Sequence, residues 1–545
     1  MSDIVTLNGY KIKDEKAVRS YETVALMKAD TKLKEGYHVK TKGYYEANDG
    51  GNGEYVIVDD DTLVDDGGSI HVLTNGLRAK LIINDVVDVK KFGAYGDNTH
   101  DDTLSLQTCL NFSFDNRLDV YIPDGTYLFS NLTFPTASAG DNEFAITIKG
   151  NSRQSTILKH TGTGIAINVS PRGESYCNGI NMFNFNVSGN ENTTIGINLP
   201  RGTRIKIDSV NVNLCNICVK NNNNFWLSSL TNMFLGPSGE NSIGLEINGS
   251  SVTSIYYDEI YVYGSSKYAF HIEGTYSHIG ILAADNCSGD YVYYFNYCSS
   301  GSIDTIASEN ANVTNIVKLR YSSLVIDNIT AYNPNTETIQ SVLNCESCKP
   351  SILTISVSAS SEATIEKPLA TLSFCNLTID SISGNLHFNQ ATSTNNNDGV
   401  IVYNSLKIRG SSRPYIGNDR SVNTATTPYN SSNLGVAIFT DCTTSPSLGS
   451  DGTSYNWKTP AKQGDWFIEN KPGEKNVAAY VLLEDGGTSQ GINDAKRAPI
   501  PLILSGNTAS RPSSYIRGGV YFDTTLGKPI WYTGSAWVDA TGTQV

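Results

Sequence analysis

Charge is scarce in this sequence. Only 17% of its residues are Asp, Glu, Lys or Arg, and the formal net charge is −14. A nucleic-acid binder carries a basic patch or stripe, and no basic run occurs here, so nucleic acid is not an expected partner. An anionic polysaccharide stays open, because a local cationic groove can sit on an acidic protein. Long apolar runs are missing as well. None approaches the roughly 20 residues of a membrane helix, so membrane insertion is not expected. The opening MSDIVTLNGYKIKDEK lacks the apolar core of a signal peptide, and synthesis in a cytosol is the expectation. Ten cysteines in 545 residues do not suggest a disulfide framework. The pairs Cys215–Cys218 and Cys345–Cys348 have zinc-ligand spacing but stand far apart in the chain. Their plainer reading is small thiols filling a narrow core. There is no P-loop, dinucleotide fingerprint, HExxH or convincing calcium loop, so no cofactor or metal is expected.

What is present is polar and β-prone. Hydrophobic residues reach only 39%, and Asn, Ser, Thr and Gly fill the gap, with 30 Tyr against 17 Phe. β-branched and aromatic residues run throughout, which argues against disorder. Many short strands joined by turns fit this composition. A surface rich in hydroxyls, amides and tyrosines suits sugars, which need stacking faces and many hydrogen bonds. A chain of 545 residues outgrows one compact core, so several domains or one long solenoid are expected.

Residues 1–84 read as a small leading domain. A polar, helix-like stretch from Ala17 to Lys34 precedes GYYEANDGGNGEYVIVDD, a hairpin-like pattern with Gly and Asn turns, and the segment closes on the strand LRAKLII. Next comes VVDVKKFGAYGDNTHDDTLSLQTCLNFSF, a strand running into the turn Gly93-Ala94-Tyr95-Gly96-Asp97. Thr99 to Asp102 supply helix-start residues, and Leu104, Leu106, Leu110 and Phe112 an apolar helical face. A strand then begins at Val120. A short helix ahead of a strand series can cover the open end of a solenoid, whose uncapped sheets would otherwise be a liability.

The pattern FGAYGDNTHDDTLSLQTCL…VYIPDGTYLF, within residues 92–129, resembles the opening of the pectate-lyase-like β-helix superfamily, as found in phage tailspikes and tail fibres. The resemblance implies an all-β chain built on a right-handed single-stranded parallel β-helix, assembled as a homotrimer. It leaves the reaction open, since that superfamily includes hydrolases, lyases, epimerases and non-enzymatic adhesins.

Internal repeats point the same way. The units IDSVNV (from Ile207), LSSLTN (Leu227), YDEIYV (Tyr257), IGILAA (Ile279), IDTIAS (Ile303), IDNITA (Ile326) and IDSISG (Ile379) recur, with SILTIS near Leu353 filling the widest gap. One such unit per coil is what a β-helix requires, because each coil buries its inward residues only against its neighbours. The repeat fades near residue 410. We therefore expect a β-helix with a capping helix over 85–410, a β region over 411–500 and an aromatic β-hairpin module over 501–545. That last segment, with VYFDT and PIWYTG around a Gly-Lys-Pro turn, is similar to carboxy-terminal modules of phage tail proteins.

The repeat also serves as a ruler. The position after the first core residue reads Asp208, Ser228, Asp258, Gly280, Asp304, Asp327 and Asp380. Asp, Ser and Gly favour turns, so this column reads as a turn ladder. Six residues past the core position, alternation points side chains outward. That column reads Asn213, Met233, Tyr263, Asp285, Glu309, Tyr332 and Asn385. Two carboxylates, Asp285 and Glu309, thus fall on adjacent coils with a tyrosine on either side. Adjacent strands lie about 4.8 Å apart, and two carboxyls that close can leave one protonated beside one ionised. Glycosidic hydrolysis needs such a pair.

Asp285 and Glu309 are therefore the expected catalytic residues, with Tyr261, Tyr263, Tyr332 and Trp226 as sugar-binding candidates. Asp258, Glu259 and Asp290 are alternative acids. His271 and His278 lie nearby in sequence, and a lone histidine is more often structural. A lyase would need a cation beside the acids; Lys267 and Arg320 are nearest in sequence, and neither falls in the column. The expected protein is a virion tail component, made in the host cytoplasm and acting at the host surface. It would attach through residues 1–84 to phage tail or baseplate proteins, and bind and cleave a host cell-surface polysaccharide. A non-enzymatic trimeric receptor-binding protein and a lyase are the alternatives on the same fold.

Overall fold

The computed structural model describes residues 18–83, 85–136, 145–171 and 176–360 in continuous stretches, together with 5–7, 10–12, 363–375, 377–383, 386–389, 392–393, 438–442, 466–469, 477–482, 497–501, 504–513, 515 and 517–545. The chain forms two compact units, Met1–Ile339 and Gln340–Val545.

After an antiparallel pair, Val5–Leu7 and Tyr10–Ile12, the first unit has a five-stranded sheet that includes Arg19–Tyr21, His38–Thr41, Glu54–Val58 and Arg78–Leu81. Glu54–Val58 runs antiparallel to both His38–Thr41 and Arg78–Leu81, as the Gly-rich turns require. The helix expected over Ala17–Lys34 shrinks to Val24–Ala29, capped by Thr23, whose hydroxyl accepts from the Leu26 amide at 3.2 Å. Arg19–Tyr21 is instead a strand that pairs with His38–Thr41.

This sheet is seated on the start of the coils. Tyr45 stacks on Tyr95 with ring centroids 4.1 Å apart, and its hydroxyl donates to the Gly93 carbonyl at 3.0 Å. Gly93 is left-handed, at φ 83°. Asp102, fully buried, accepts from the amides of Tyr95 and Gly96 at 2.6 and 3.0 Å. It therefore fixes the turn before the helix rather than capping the helix with its side chain. Burial raises its pKa, against the pull of those two amides. The helix runs Thr103–Asn116 and ends on left-handed Arg117. Its buried face is Leu106, Cys109, Leu110 and Ser113; Leu104, expected on that face, is 79% exposed. Cys109 and Ser113 complete the buried stripe with Leu106 and Leu110, and Leu104 lies off it.

Strands before and after the helix stack as a parallel β-helix. Its register is carried by one apolar residue per coil: Val87, Val120, Ile148, Met182, Ile207, Leu230, Tyr257, Ile279, Ile303 and Ile326 pair in sequence. All are buried. A second inward column, Val212, Leu235, Val262, Ala284, Ser308 and Ala331, follows the same register. On another side of the coil Val219, Leu245, Phe270, Tyr293 and Val317 stack inward, with Phe270 and Tyr293 parallel at 5.3 Å. Burying these rows at about 25 cal/mol per Å² is what holds the coils together, since no single coil encloses a core.

The repeat frame slips in one place. Leu227 was expected inward, but the residue paired with Ile207 and Tyr257 is Leu230; Leu227 is 58% exposed and left-handed. The turn-column member on that coil is therefore Thr231, not Ser228, and the outward-column member is Gly236, not Met233, which is buried. In the second unit, the SILTIS segment keeps the frame through Ile352, which pairs with Ile379. Leucines at both 227 and 230 satisfy the pattern, and only the neighbouring coils decide between them.

The second unit begins with parallel strands of the same kind, including Ser341–Glu346, Ser351–Ser358, Ala370–Ser373 and Thr378–Ser383. Farther on, Ile438–Cys442, Trp466–Glu469, Val477–Leu482 and Arg497–Pro501 form a four-stranded sheet. The rest of the polar stretch between 411 and 460 lies outside the described residues, as does Asn385. At the end, Val520–Asp523 and Lys528–Tyr532 pair antiparallel around a core of Tyr515, Tyr521, Ile530, Tyr532 and Trp537.

Candidate functional site: an acid column on the β-helix

The coils turn sharply where the outward column ends. Asn286, Asn310 and Asn333 are left-handed, with φ of 53°, 51° and 50°, and Gly264 takes the same role at 82°. Asn and Gly are the residues that reach this conformation at least cost. Each follows a column member directly, so the members are Tyr263, Asp285, Glu309 and Tyr332. Backbone bonds lock the corner: Gly264 N donates to Asp285 O at 3.0 Å, Asn286 N to Glu309 O at 2.9 Å, and Asn310 N to Tyr332 O at 3.0 Å. The side chains join in, with Asn333 Nδ2 donating to Asn310 Oδ1 at 2.7 Å. An Asn or Gly after each column residue is a signal the sequence contained and the repeat ruler did not use.

Across the coils, Tyr263 pairs with Asp285, Asp285 with Glu309, and Glu309 with Tyr332. The two carboxylates therefore stand on neighbouring strands with a tyrosine before and after. Tyr263 and Tyr332 are 48% and 43% exposed and present their rings to solvent. Two residues upstream, Tyr261, Ala283, Ala307 and Thr330 form the adjacent outward row. The alanines leave room beside Asp285 and Glu309, and Tyr261 forms a wall. The Tyr261 hydroxyl donates to Asp285 Oδ2 at 2.7 Å, and its ring lies 5.6 Å from Phe234. Burial first, and this bond second, push the Tyr261 pKa up, so it stays a hydrogen-bond donor.

The other candidates do not join this group. Asp258 sits in the turn column, where Tyr256 donates to it at 2.7 Å and the amides of Glu259 and Ile281 at 3.0 Å each. Burial would raise its pKa, and these donors outweigh that and hold it low. Asp208 likewise accepts from Thr231 on the next coil at 2.6 Å. The two aspartates tie successive coils together, as the turn-ladder reading requires. Gly280 belongs to the same device, because a Cβ there would lie 2.1 Å from Asp258 Oδ1. Glu259 is an exposed left-handed residue at that bend. Asp290 is exposed and lies past the Asn286 corner, its amide bonded to Lys267 O. Trp226 pairs with Thr203 and Thr253, ahead of the left-handed bends at Ser254 and Glu259, and packs on Tyr176 at 5.2 Å. Lys267 lies over the Tyr268 ring and Arg320 over the Tyr321 ring, at 5.3 and 4.9 Å.

Comparison with known proteins fits this architecture. Residues 86–297 match the family model of rhamnogalacturonase A/epimerase, pectate lyase-like. Residues 20–84 match a phage tail protein small four-stranded β-sheet domain. No curated protein matches the sequence. Among solved structures, the gp42 tailspike of Acinetobacter phage vb_AbaP_AS12 is 12% identical, with a TM-score of 0.62 over 92% of this chain and 97% of that one. Tailspike protein 2 of bacteriophage CBA120, its enzymatically active domain, is 14% identical, with a TM-score of 0.47 over 70% of this chain and 57% of that one. Gp49 of Acinetobacter baumannii bacteriophage Fri1, described as a capsular polysaccharide depolymerase, is 14% identical, with a TM-score of 0.38 over 73% and 79%. The first of these carries the likeness of fold. The fold is that of a parallel β-helix, and its residues 86–297 are similar to the pectate-lyase-like family. Ahead of the helix, residues 20–84 carry the phage-tail sheet match, and the likeness to the gp42 tailspike is one of fold.

Proposed function

We propose that this tail protein binds a polysaccharide on the host surface and cleaves its glycosidic bonds by hydrolysis. Asp285 and Glu309 share the roles of acid and of base or nucleophile. Tyr261 orients Asp285, and Tyr263 and Tyr332 hold sugar rings to either side. The observation that carries this reading is the in-register placement of Asp285 and Glu309 on adjacent coils between two exposed tyrosines. Glycoside hydrolysis requires two carboxyls flanking the scissile bond, one able to protonate the leaving oxygen. A row of outward residues running across coils suits an extended chain laid along the helix. Trimer formation, attachment to the tail through the amino-terminal sheet and synthesis in the host cytoplasm complete the proposal.

The test is release of reducing ends from polysaccharide purified from the host, for the wild type, Asp285→Asn and Glu309→Gln. Loss of product in either variant with binding retained supports the hydrolase. Unsaturated products absorbing in the ultraviolet would instead indicate a lyase. A second reading is binding without cleavage, and the exposure of Glu309 and of both flanking tyrosines favours it. Tight binding by the wild type with no product would establish it.

A further inference from the structure

A different side of the same coils carries a second polar face. Lys220, Glu246, His271, Tyr294 and Lys318 follow one another in register. Two residues along, Glu273, Asn296 and Arg320 form a parallel row. The residues interleaved with them, Phe270, Ile272, Tyr293 and Phe295, are core, so alternation turns both rows outward. Outward polar residues are usually well hydrated, yet Glu246 is only 8% exposed and Asn296 7%.

The groups are partly matched to each other. Lys220 Nζ lies 3.0 Å from Glu246 Oε2. His271 sits between two carboxylates, 3.8 Å from Glu246 and 3.6 Å from Glu273, which is ion-pair rather than hydrogen-bond range. Asn248 Nδ2 donates to Glu246 at 3.1 Å, and Asn296 Nδ2 to Glu273 at 2.6 Å. Besides Glu246 Oε2, which faces Lys220, three buried atoms on this face make no hydrogen bond among the described residues: Asn248 Oδ1, Asn296 Oδ1 and His271 Nε2. A buried polar atom left without a hydrogen bond pays its desolvation without return, and three on one face mark a place built for something that donates and accepts.

Aromatic rings border the same face. Tyr294 stacks on His271 at 4.6 Å, and Tyr268 lies parallel to Tyr291 at 5.8 Å. Tyr297 and Tyr321, which directly follow Asn296 and Arg320, stack on each other at 4.9 Å and are 57% and 40% exposed. Both are left-handed, at φ 52° and 46°. For an aromatic residue that backbone is strained, and strain of this kind clusters at binding sites.

We propose that this face is a second saccharide-binding site, separate from the acid column, in which Asn248, Asn296 and His271 exchange hydrogen bonds with sugar hydroxyls and the Tyr297–Tyr321 pair stacks on a sugar ring. It rests on the reading of the chain as a polysaccharide binder. Two sites on one protein, engaging one long polymer, would raise its retention through effective concentration.

The full-length protein is tested on immobilised host polysaccharide in the cold, where turnover is slow. The variants are Asn296→Ala and the double substitution Tyr297→Asn with Tyr321→Asn. Asparagine accepts the left-handed backbone, so the double variant tests the site without endangering the fold. We expect at least tenfold weaker binding in both, with unchanged oligomer size by light scattering. Binding of the double variant within twofold of wild type overturns the second site and leaves the hydrolase reading standing. A change of oligomer size in that variant also overturns it, in favour of a contact between copies of the chain. If the wild type itself fails to bind, the polysaccharide reading falls first, and the second site with it.

Discussion

Tyr261 reaches across from one coil to the next and donates its phenolic hydrogen to Asp285 Oδ2 at 2.7 Å. Hydrogen bonds to charged groups contribute about 1.5–3 kcal/mol. Tyr261→Phe keeps the ring against Phe234 and removes only this bond. We expect kcat/KM on the host polysaccharide to fall by on the order of tenfold or more, and the unfolding midpoint to drop by no more than this one bond's contribution. Reducing-end kinetics beside a urea titration would check both halves.

Gly280 is expected to tolerate no side chain. A Cβ would meet the Asp258 carboxylate at 2.1 Å, and that carboxylate is held by Tyr256 and by the Ile281 and Glu259 amides. Gly280→Ala should cost about 1–3 kcal/mol, the usual range for overpacking. Adding Asp258→Ala should recover part of that loss. A double-mutant cycle on unfolding free energies measures the coupling, and strictly additive effects would contradict the contact.

The corner after Glu309 offers a test of backbone preference. Asn310 is left-handed at φ 51°. A β-branched residue there should be strained by about 1–3 kcal/mol, while glycine should fit. Asn310→Val is expected to lower the thermal unfolding midpoint and Asn310→Gly to leave it close to wild type. Because the bend sets the direction of Glu309, the valine variant should also lose activity at temperatures where it remains folded.

The second polar face predicts a pH dependence of stability. Burial alone would lower the pKa of His271, and Glu246 and Glu273 outweigh it and raise the value above 6.5. A raised histidine stabilises the fold fully below its unfolded pKa, and that contribution is lost as pH climbs through the folded value. Glu246 behaves oppositely. Burial would raise it, but His271 and Lys220 pull it below 4.5, so its contribution is present above that value and lost as pH falls. Both contributions are complete between these limits. The stability gap between wild type and His271→Gln should be widest near pH 5–6 and shrink toward pH 9. Thermal melts across that range would show it, and a gap that grows with pH would contradict the ion pairs.

Much of the fold was legible because one coil repeats the chemistry of the next. Ile207, Tyr257, Ile279, Ile303 and Ile326 each begin a similar unit, and that was enough to align Tyr263, Asp285, Glu309 and Tyr332 correctly. The slip at Leu227 shows the limit. Two leucines three residues apart fit the pattern equally, and the left-handed turn that expels the first is not written in its side chain. Trp226 was named a sugar-binding candidate on chemistry alone, with no ruler to place it. The face around Glu246 and His271 escaped for a related reason. Its core column, Val219, Leu245, Phe270, Tyr293 and Val317, changes size at every step and offers no repeating turn residue to read. His271 could be judged only as a lone histidine, because Glu246 is brought beside it by stacking, not by sequence.

The seam between the amino-terminal sheet and the first coil has a mechanical meaning. Tyr45 is clamped on Tyr95 and bonded to Gly93, and the turn between those partners and the helix is pinned by buried Asp102. A pull on the sheet therefore reaches the coils through stacked rings and backbone rather than through a slack tether. Drag on a bound polymer would be felt at the other side of that joint with little loss. Softening it, for instance by removing the Tyr45 ring, should leave each part folded while letting the two swing independently.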